Sequence, residues 1–196
     1  MINAEHAITV LKIGGSLLKA DTLHRCLDGI EQRCQGKAVI VAGGGVFADQ
    51  VRLAQQQWQF DDNTAHKMAI LAMQQMALLF NGIKPHYVIA PSVAAIQTQL
   101  RQHNSVIWSP DINELDNAAI AATWAITSDS LAAWLAHALM AKTLILVKSV
   151  AVEPPFNWCQ LAEKNIVDSA FADFVSAAAF DIQLVTADFF DVAHHQ

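Results

Sequence analysis

The sequence predicts an α/β protein, a three-layer αβα sandwich built around a mostly parallel open sheet. Three observations carry that expectation. Short apolar, β-branched runs alternate with stretches of helical spacing, and two of those runs end directly in glycine loops that open helices. Hydrophobic residues make up 54% of the chain against 15% charged, enough apolar material to cover both faces of a buried sheet. The 196 residues suit one folding unit, so a single domain is expected over 1–196.

The first strand is expected over 7–13, nearly continuous in apolar and β-branched residues and running straight into Gly14-Gly15-Ser16. A helix over 21–34 follows, with Leu23, Leu27 and Ile30 at helical spacing, Asp21 as its cap and Gly36 closing it. Residues 37–42 give the second strand, which ends in Gly43-Gly44-Gly45 and feeds a helix over 46–58. A longer helix spans 64–81, its Met68, Leu71, Met76 and Leu79 reading as core filling and Gly82 lying just past its end.

Next come a strand at 86–90, a helix opening at Pro91, a strand at 105–108 and an irregular, turn-rich stretch over 109–125. A helix over 127–141 leads into a buried strand at 143–147. After a Pro-Pro loop, a helix from Asp168 precedes a last strand at 182–186. Alternation of this kind implies parallel strands joined by helical crossovers.

The formal net charge of −6, with no basic run or stripe, argues against nucleic acid or an anionic membrane as partner. Cys26, Cys34 and Cys159 form an odd, widely spaced set that fits neither a disulfide framework nor a zinc site, which points to a reducing cytoplasm. The start of the chain lacks the pattern of a secretory signal. The apolar stretch over 131–147 is broken by His137 and Lys142 and reads as a helix followed by a strand rather than a membrane span.

In open parallel sheets ligands bind outside the carboxyl ends of the strands. Lys12 ends the first strand one residue before the Gly14-Gly15-Ser16 loop, placing a cation beside free backbone N–H groups that suit phosphate. The alternative is a lysine on an edge strand reaching out to solvent. Lys148 repeats the arrangement after 143–147, so two cations can converge on one anion. Gly43-Gly44-Gly45 allows close backbone approach to a ligand at a helix N-terminus. It also fits a degenerate dinucleotide pattern, but no acidic residue follows at the required strand end.

Thr127-Ser128-Asp129-Ser130 opens the helix before the Lys148 strand. Thr127 could simply cap that helix and Asp129 complement its dipole. An acid facing two lysines could instead hold their heads in place or help coordinate Mg²⁺. The histidines have no ligand spacing, and neither a nucleophile elbow nor a zinc-protease helix is present.

Together, Leu11-Lys12-Ile13-Gly14-Gly15-Ser16-Leu17, Val41-Ala42-Gly43-Gly44-Gly45 and Thr127-Ser128-Asp129-Ser130-Leu131-Ala132-Ala133 resemble the amino acid kinase family. The resemblance implies an αβα sandwich that uses ATP and Mg²⁺ on a small, commonly phosphorylated or carboxylate-bearing acceptor, and usually a homo-oligomer. It implies Lys12, Gly14, Gly15 and Ser16 at the phosphates, Gly43, Gly44 and Gly45 at the acceptor, and Asp129 as organiser of the lysines. Lys148 and Ser149 fall near the nucleotide-side motif, and Thr127 and Ser128 near the acceptor. The stretches 62–73, 124–130 and 146–150 resemble one branch, the [5-(aminomethyl)furan-3-yl]methyl phosphate kinases, which turn a monophosphate into a diphosphate in one-carbon cofactor synthesis.

Two departures stand out. The family's usual Asp-Gly after the nucleotide-side strand is replaced by Ser149-Val150, and Ala125 stands where that branch has an acid. Three readings therefore remain: that furan phosphate kinase, a kinase of another phosphate or carboxylate acceptor such as UMP or an acidic amino acid, and a non-catalytic nucleotide sensor.

Overall fold

The computed structural model describes residues 7–15, 20–34 and 36–191. In chain order the elements are β1 (Ile8–Ile13), α1 (Ala20–Arg33), β2 (Lys37–Ala42), α2 (Gly45–Trp58), α3 (Asp62–Ile83), β3 (Val88–Ala90), α4 (Val93–Gln99), β4 (Ser105–Trp108), α5 (Ile112–Asn117), α6 (Ser128–Ala138), β5 (Thr143–Val147), α7 (Trp158–Glu163), α8 (Phe171–Val175), β6 (Asp181–Val185) and a 3-10 turn (Ala187–Phe190). The strands form one six-stranded sheet in the order β3-β4-β2-β1-β5-β6. All five strand pairings are parallel.

β1 is central, with β2 on one side and β5 on the other, so the strand order reverses beside it and a crevice opens at its carboxyl end. Register aligns that rim. Ile13 pairs with Ala42 on β2 and with Val147 on β5, so Gly14, Gly43 and Lys148 leave their strands at one level.

Strand alternation sorts the core into two apolar clusters. Leu11, Ile13, Ile40 and Val147 pack with Leu23, Cys26, Leu27 and Ile30 of α1 and with Phe190. Val10, Val39, Val41, Trp108 and Leu146 pack with Leu131, Ala132, Leu135 and Ala136 of α6. Lys12 shares the parity of Val10, so its side chain lies on the α6 side of the sheet. With β1 internal and Lys12 only 6% exposed, the solvent-reaching alternative is excluded.

Several local expectations are corrected. The stretch 109–125 contains α5, capped by Asp111 through the Asn113 N–H, and α7, capped by Asn157, occupies the segment after Pro154-Pro155. Each is only six residues long, too short for a periodic signal. α3 begins earlier, where the Asp61 side chain accepts from the Thr64 N–H, and continues through Gly82 to Ile83. α4 starts after a Ser92 cap rather than at Pro91. The last helix starts at Phe171, because Asp168 is engaged elsewhere.

The buried face of α3 is Ala65, His66, Ile70, Ala72, Met73, Met76, Ala77 and Phe80. Of the residues expected to fill the core there, Met76 is buried while Leu71 and Leu79 are exposed. A helix apolar on more than one side gives no clean stripe. Asp21, expected to cap α1, has its side chain outside the described residues, as does Ser16. Among the described residues no helix is long and apolar enough to cross a membrane, and all three cysteines are free thiols.

Candidate active site

The two lysines meet on one carboxylate. Lys12 Nζ lies 2.9 Å from Asp129 Oδ1, and Lys148 Nζ donates to Asp129 Oδ2 at 2.7 Å. Lys12 ends a buried strand, Lys148 follows the neighbouring strand, and Asp129 sits in the first turn of α6, only 4% exposed. Two ammonium groups against one carboxylate leave this trio with one unit of positive charge, partly offset by Asp168, which lines the same cavity and acts on Lys148.

Burial alone would raise the Asp129 carboxyl, but Lys12 and Lys148 outweigh it and hold the carboxyl below its ordinary range. Burial, followed by repulsion from Lys12, lowers Lys148 to about 8 in spite of its bond to Asp129. With an ammonium group beside each carboxylate oxygen, Asp129 is placed to hold the lysine heads. Among the described residues no group of three or more His, Cys, Asp or Glu side chains could hold a metal ion.

The glycine loops come together through main chain. A Cβ added to Gly15 would stand 2.5 Å from Gly45 Cα, and one on Gly43 would stand 3.2 Å from Ser128 Oγ. A side chain at Gly15 would force the loops apart, and one at Gly43 would crowd the Ser128 hydroxyl. Gly45 also adopts φ 53, which L side chains rarely take. It opens α2, whose first turn carries no acid, and the helix N-terminus borders the crevice, with Asp49 of the next turn also lining it.

Three cavities surround this junction. The first, about 180 Å³, is lined by Gly15, Gly43, Gly44, Gly45, Thr127 and Ser128, and by α2 and α3 residues that include Arg52, Asp62 and His66. The second, about 260 Å³, is lined by Lys12, Gly14, Gly15, Lys148, Ser149 and Lys164. The third, about 390 Å³, lies over Lys12, Asp129 and Lys148 and shares Arg52, Trp124 and Thr127 with the first. Gly15 therefore borders the first two, and Lys12 the last two.

Of the residues expected at the site, Lys12, Lys148, Asp129 and both glycine loops come together, and Ser149 lies exposed on the second cavity. Thr127 behaves differently from a simple cap: its own side chain makes no cap bond, and both its N–H and its hydroxyl donate to Asp168 Oδ2, at 2.8 and 2.9 Å. The Ser130 N–H donates to the same oxygen at 3.1 Å, and the Ser130 hydroxyl donates to Oδ1. Asp168 thus caps α6 from across the fold and fixes the turn that carries Asp129.

Sequence reasoning also passed over Arg52, Trp124 and His66. The Arg52 guanidinium lies 3.7 Å from the Trp124 ring centroid, and Trp124 Nε1 donates to Gln55 Oε1 at 2.6 Å. A basic residue nine positions after the first glycine of Gly43-Gly44-Gly45 was the available signal for Arg52; its aromatic partner, 72 residues on, had none. His66 is buried, and burial, with a smaller contribution from Lys67, pushes its imidazole below its ordinary value against the opposing effect of Asp116.

Comparison with known proteins agrees with this arrangement. Residues 7–152 match the model of the amino acid kinase family. The chain is 29% identical over 143 residues to the [5-(aminomethyl)furan-3-yl]methyl phosphate kinase of Methanocaldococcus jannaschii, a match covering 72% of this chain and 65% of that relative. The uridylate kinase of Archaeoglobus fulgidus superimposes with a TM-score of 0.69 at 15% identity, covering 91% of this chain and 90% of that one. The UMP kinase of Ureaplasma parvum gives 0.67 at 15% identity, covering 93% and 91%. With its lysine pair, glycine loops and strand order in one crevice, the chain belongs to the amino acid kinase family.

Proposed function

We propose that the protein is a cytoplasmic, ATP-dependent kinase that transfers the γ-phosphoryl group to a small phosphorylated acceptor, [5-(aminomethyl)furan-3-yl]methyl phosphate, giving the diphosphate. The observation that carries this reading is the junction itself: Gly15 borders both the Gly43–Gly45 cavity and the Lys148–Ser149 cavity, and Lys12 lines the latter. A donor in one and an acceptor in the other would meet beside Lys12. The family match and the similarity to the archaeal furan phosphate kinase support the choice of acceptor.

Phosphoryl transfer passes through a loose transition state with charge spread over peripheral oxygens, so the protein's part is alignment and charge stabilisation. Lys12 and the Gly14 and Gly15 amides stabilise the transferring group, and Lys148, Ser149 and Lys164 support the nucleotide phosphates in place of the missing Asp-Gly. Gly43, Gly44, Gly45, Thr127 and Ser128 hold the acceptor. The attacking atom is a phosphate oxygen that is already ionised, so no general base is required. Asp129 keeps both lysine heads at the junction. Any Mg²⁺ accompanying the nucleotide would take its ligands from phosphate oxygens, and no step depends on a metal held by the described side chains.

Lys12→Ala is expected to lower turnover by about 10³-fold, the scale of losing one preorganised transition-state donor, with the fold kept because Asp129 retains Lys148. ATP consumption measured against the furan phosphate, UMP and an acidic amino acid identifies the acceptor. A fully active K12A variant refutes the mechanism, and ATP binding by calorimetry without turnover on any acceptor favours a sensor. Exposed Leu71, Leu78 and Leu79 on α3 support a homo-oligomer through that helix, to be read by light scattering.

A further inference from the structure

The acceptor cavity has two chemically different walls. Arg52, Trp124 and Thr127 line both it and the cavity over the lysines, and Gly15 lines both it and the nucleotide-side cavity; these shared residues mark the wall where phosphoryl transfer occurs. His66, Ala69, Ile70, Met73 and Asp62 line the acceptor cavity without lining either of the other two, and all five come from α3. That α3 wall is apolar, with the His66 imidazole set into it and the exposed Asp62 carboxylate at its edge, tied through Gln55 to Trp124.

His66 is the informative residue there. It is 7% exposed, lines the cavity, and makes no hydrogen bond among the described residues. Its ring nitrogens are not sealed in the interior, so a ligand or water in the cavity can reach them. Asp62 lies four residues earlier on the same helix, and positions four apart share a helix face. One of its oxygens, Oδ1, accepts from Gln55 Nε2 at 2.8 Å, which orients the carboxylate and leaves Oδ2 for another donor.

We propose that His66 and Asp62 are acceptor-binding residues that together take a primary ammonium group carried by the acceptor. This rests on the kinase reading above and deepens it, because it assigns the specificity for an amino-phosphate over a nucleoside monophosphate to two named side chains. The imidazole accepts one ammonium N–H and the carboxylate another, while Ile70 and Met73 cover the uncharged ring between the two poles. Burial supports the role by favouring the neutral imidazole, whose free nitrogen can accept. Arg52, held on the Trp124 face, supplies a complementary cation at the phosphate end. A uracil ring has no cationic group to satisfy this pair.

The test compares [5-(aminomethyl)furan-3-yl]methyl phosphate with the same compound bearing methyl in place of aminomethyl, for the native protein and for Asp62→Asn, His66→Leu and His66→Gln. The native protein is expected to favour the amine at least 30-fold in kcat/KM. D62N and H66L should erase most of that preference while leaving turnover of the methyl compound within about threefold, and H66Q, whose amide oxygen can accept, should restore part of it. Equal handling of the two compounds by the native protein overturns the inference and leaves the kinase reading standing, as does a variant that impairs both equally. If neither compound is phosphorylated, the kinase reading falls, and calorimetric binding of the two compounds decides the inference alone: equal affinities overturn it, and an amine preference lost in D62N upholds it.

Discussion

The lysine rim and the acceptor pocket differ in how their charges are satisfied. At the rim each charged group has a protein partner: Asp129 holds Lys12 and Lys148, and Asp168 holds the turn that carries Asp129. In the pocket, among the described residues, His66 makes no hydrogen bond and only one Asp62 oxygen is engaged. The rim is therefore assembled before any ligand arrives, which suits chemistry that must be aligned in advance, whereas the pocket is completed by what enters it. On the kinase reading proposed above, the first region stabilises the transition state and the second chooses the substrate.

The most severe way to break this contrast is Asp129→Ala. It leaves two ammonium groups buried at close quarters without their shared counter-charge, at an expected cost of about 3–5 kcal/mol. Denaturant unfolding should show that loss, and phosphoryl transfer should vanish with it; near-native stability would mean that the rim is not the closed ion cluster described.

Titration of Lys148 sharpens the contrast with a smaller effect. Its folded value near 8 lies below the ordinary 10.5, so as pH rises through about 8 the rim loses a cation and activity should fall, approaching tenfold per unit. Stability moves the other way. Keeping this lysine charged in the fold carries its full cost below about 8, and that cost is relieved between about 8 and 10.5, where the unfolded chain binds the extra proton. Lys148→Arg, permanently charged, should move the alkaline limb of the activity profile upward.

Asp168→Ala is the mildest of the three. It removes the tie across the start of α6, at about 1–2 kcal/mol by the usual cost of a lost helix cap, and a loosened Asp129 should lower kcat more than it raises KM. Thermal unfolding and steady-state kinetics check both parts. An unchanged kcat would show that α6 positions Asp129 without help.

How much of this was legible in the sequence follows the range of the interactions. Lys12, Lys148 and the two glycine loops were readable because each lies within a residue or two of a recognisable strand end, and parallel pairing does the rest. Asp168 was not, because its partners lie 38 and 41 residues away and its nearest local pattern suggested only the start of a helix. Arg52 and Trp124, brought together by the packing of α2 beside the 118–127 loop, had no shared local signal either. His66 stood within a helix whose apolar residues occupy more than one side, so periodicity marked Leu71 and Leu79 as interior while both face solvent. Short capped helices such as α5 and α7 fell below the length at which spacing speaks.

The contact between Gly15 and Gly45 contains no side chain from either residue, which makes it a ruler written in backbone alone. On the proposed reading, exchanging residues around the acceptor would alter which molecule is held, while the gap between donor and acceptor would be set by two loops that already touch. Redesign toward a bulkier acceptor would have to gain its room at α3, since widening the glycine contact would pull the reacting partners out of range.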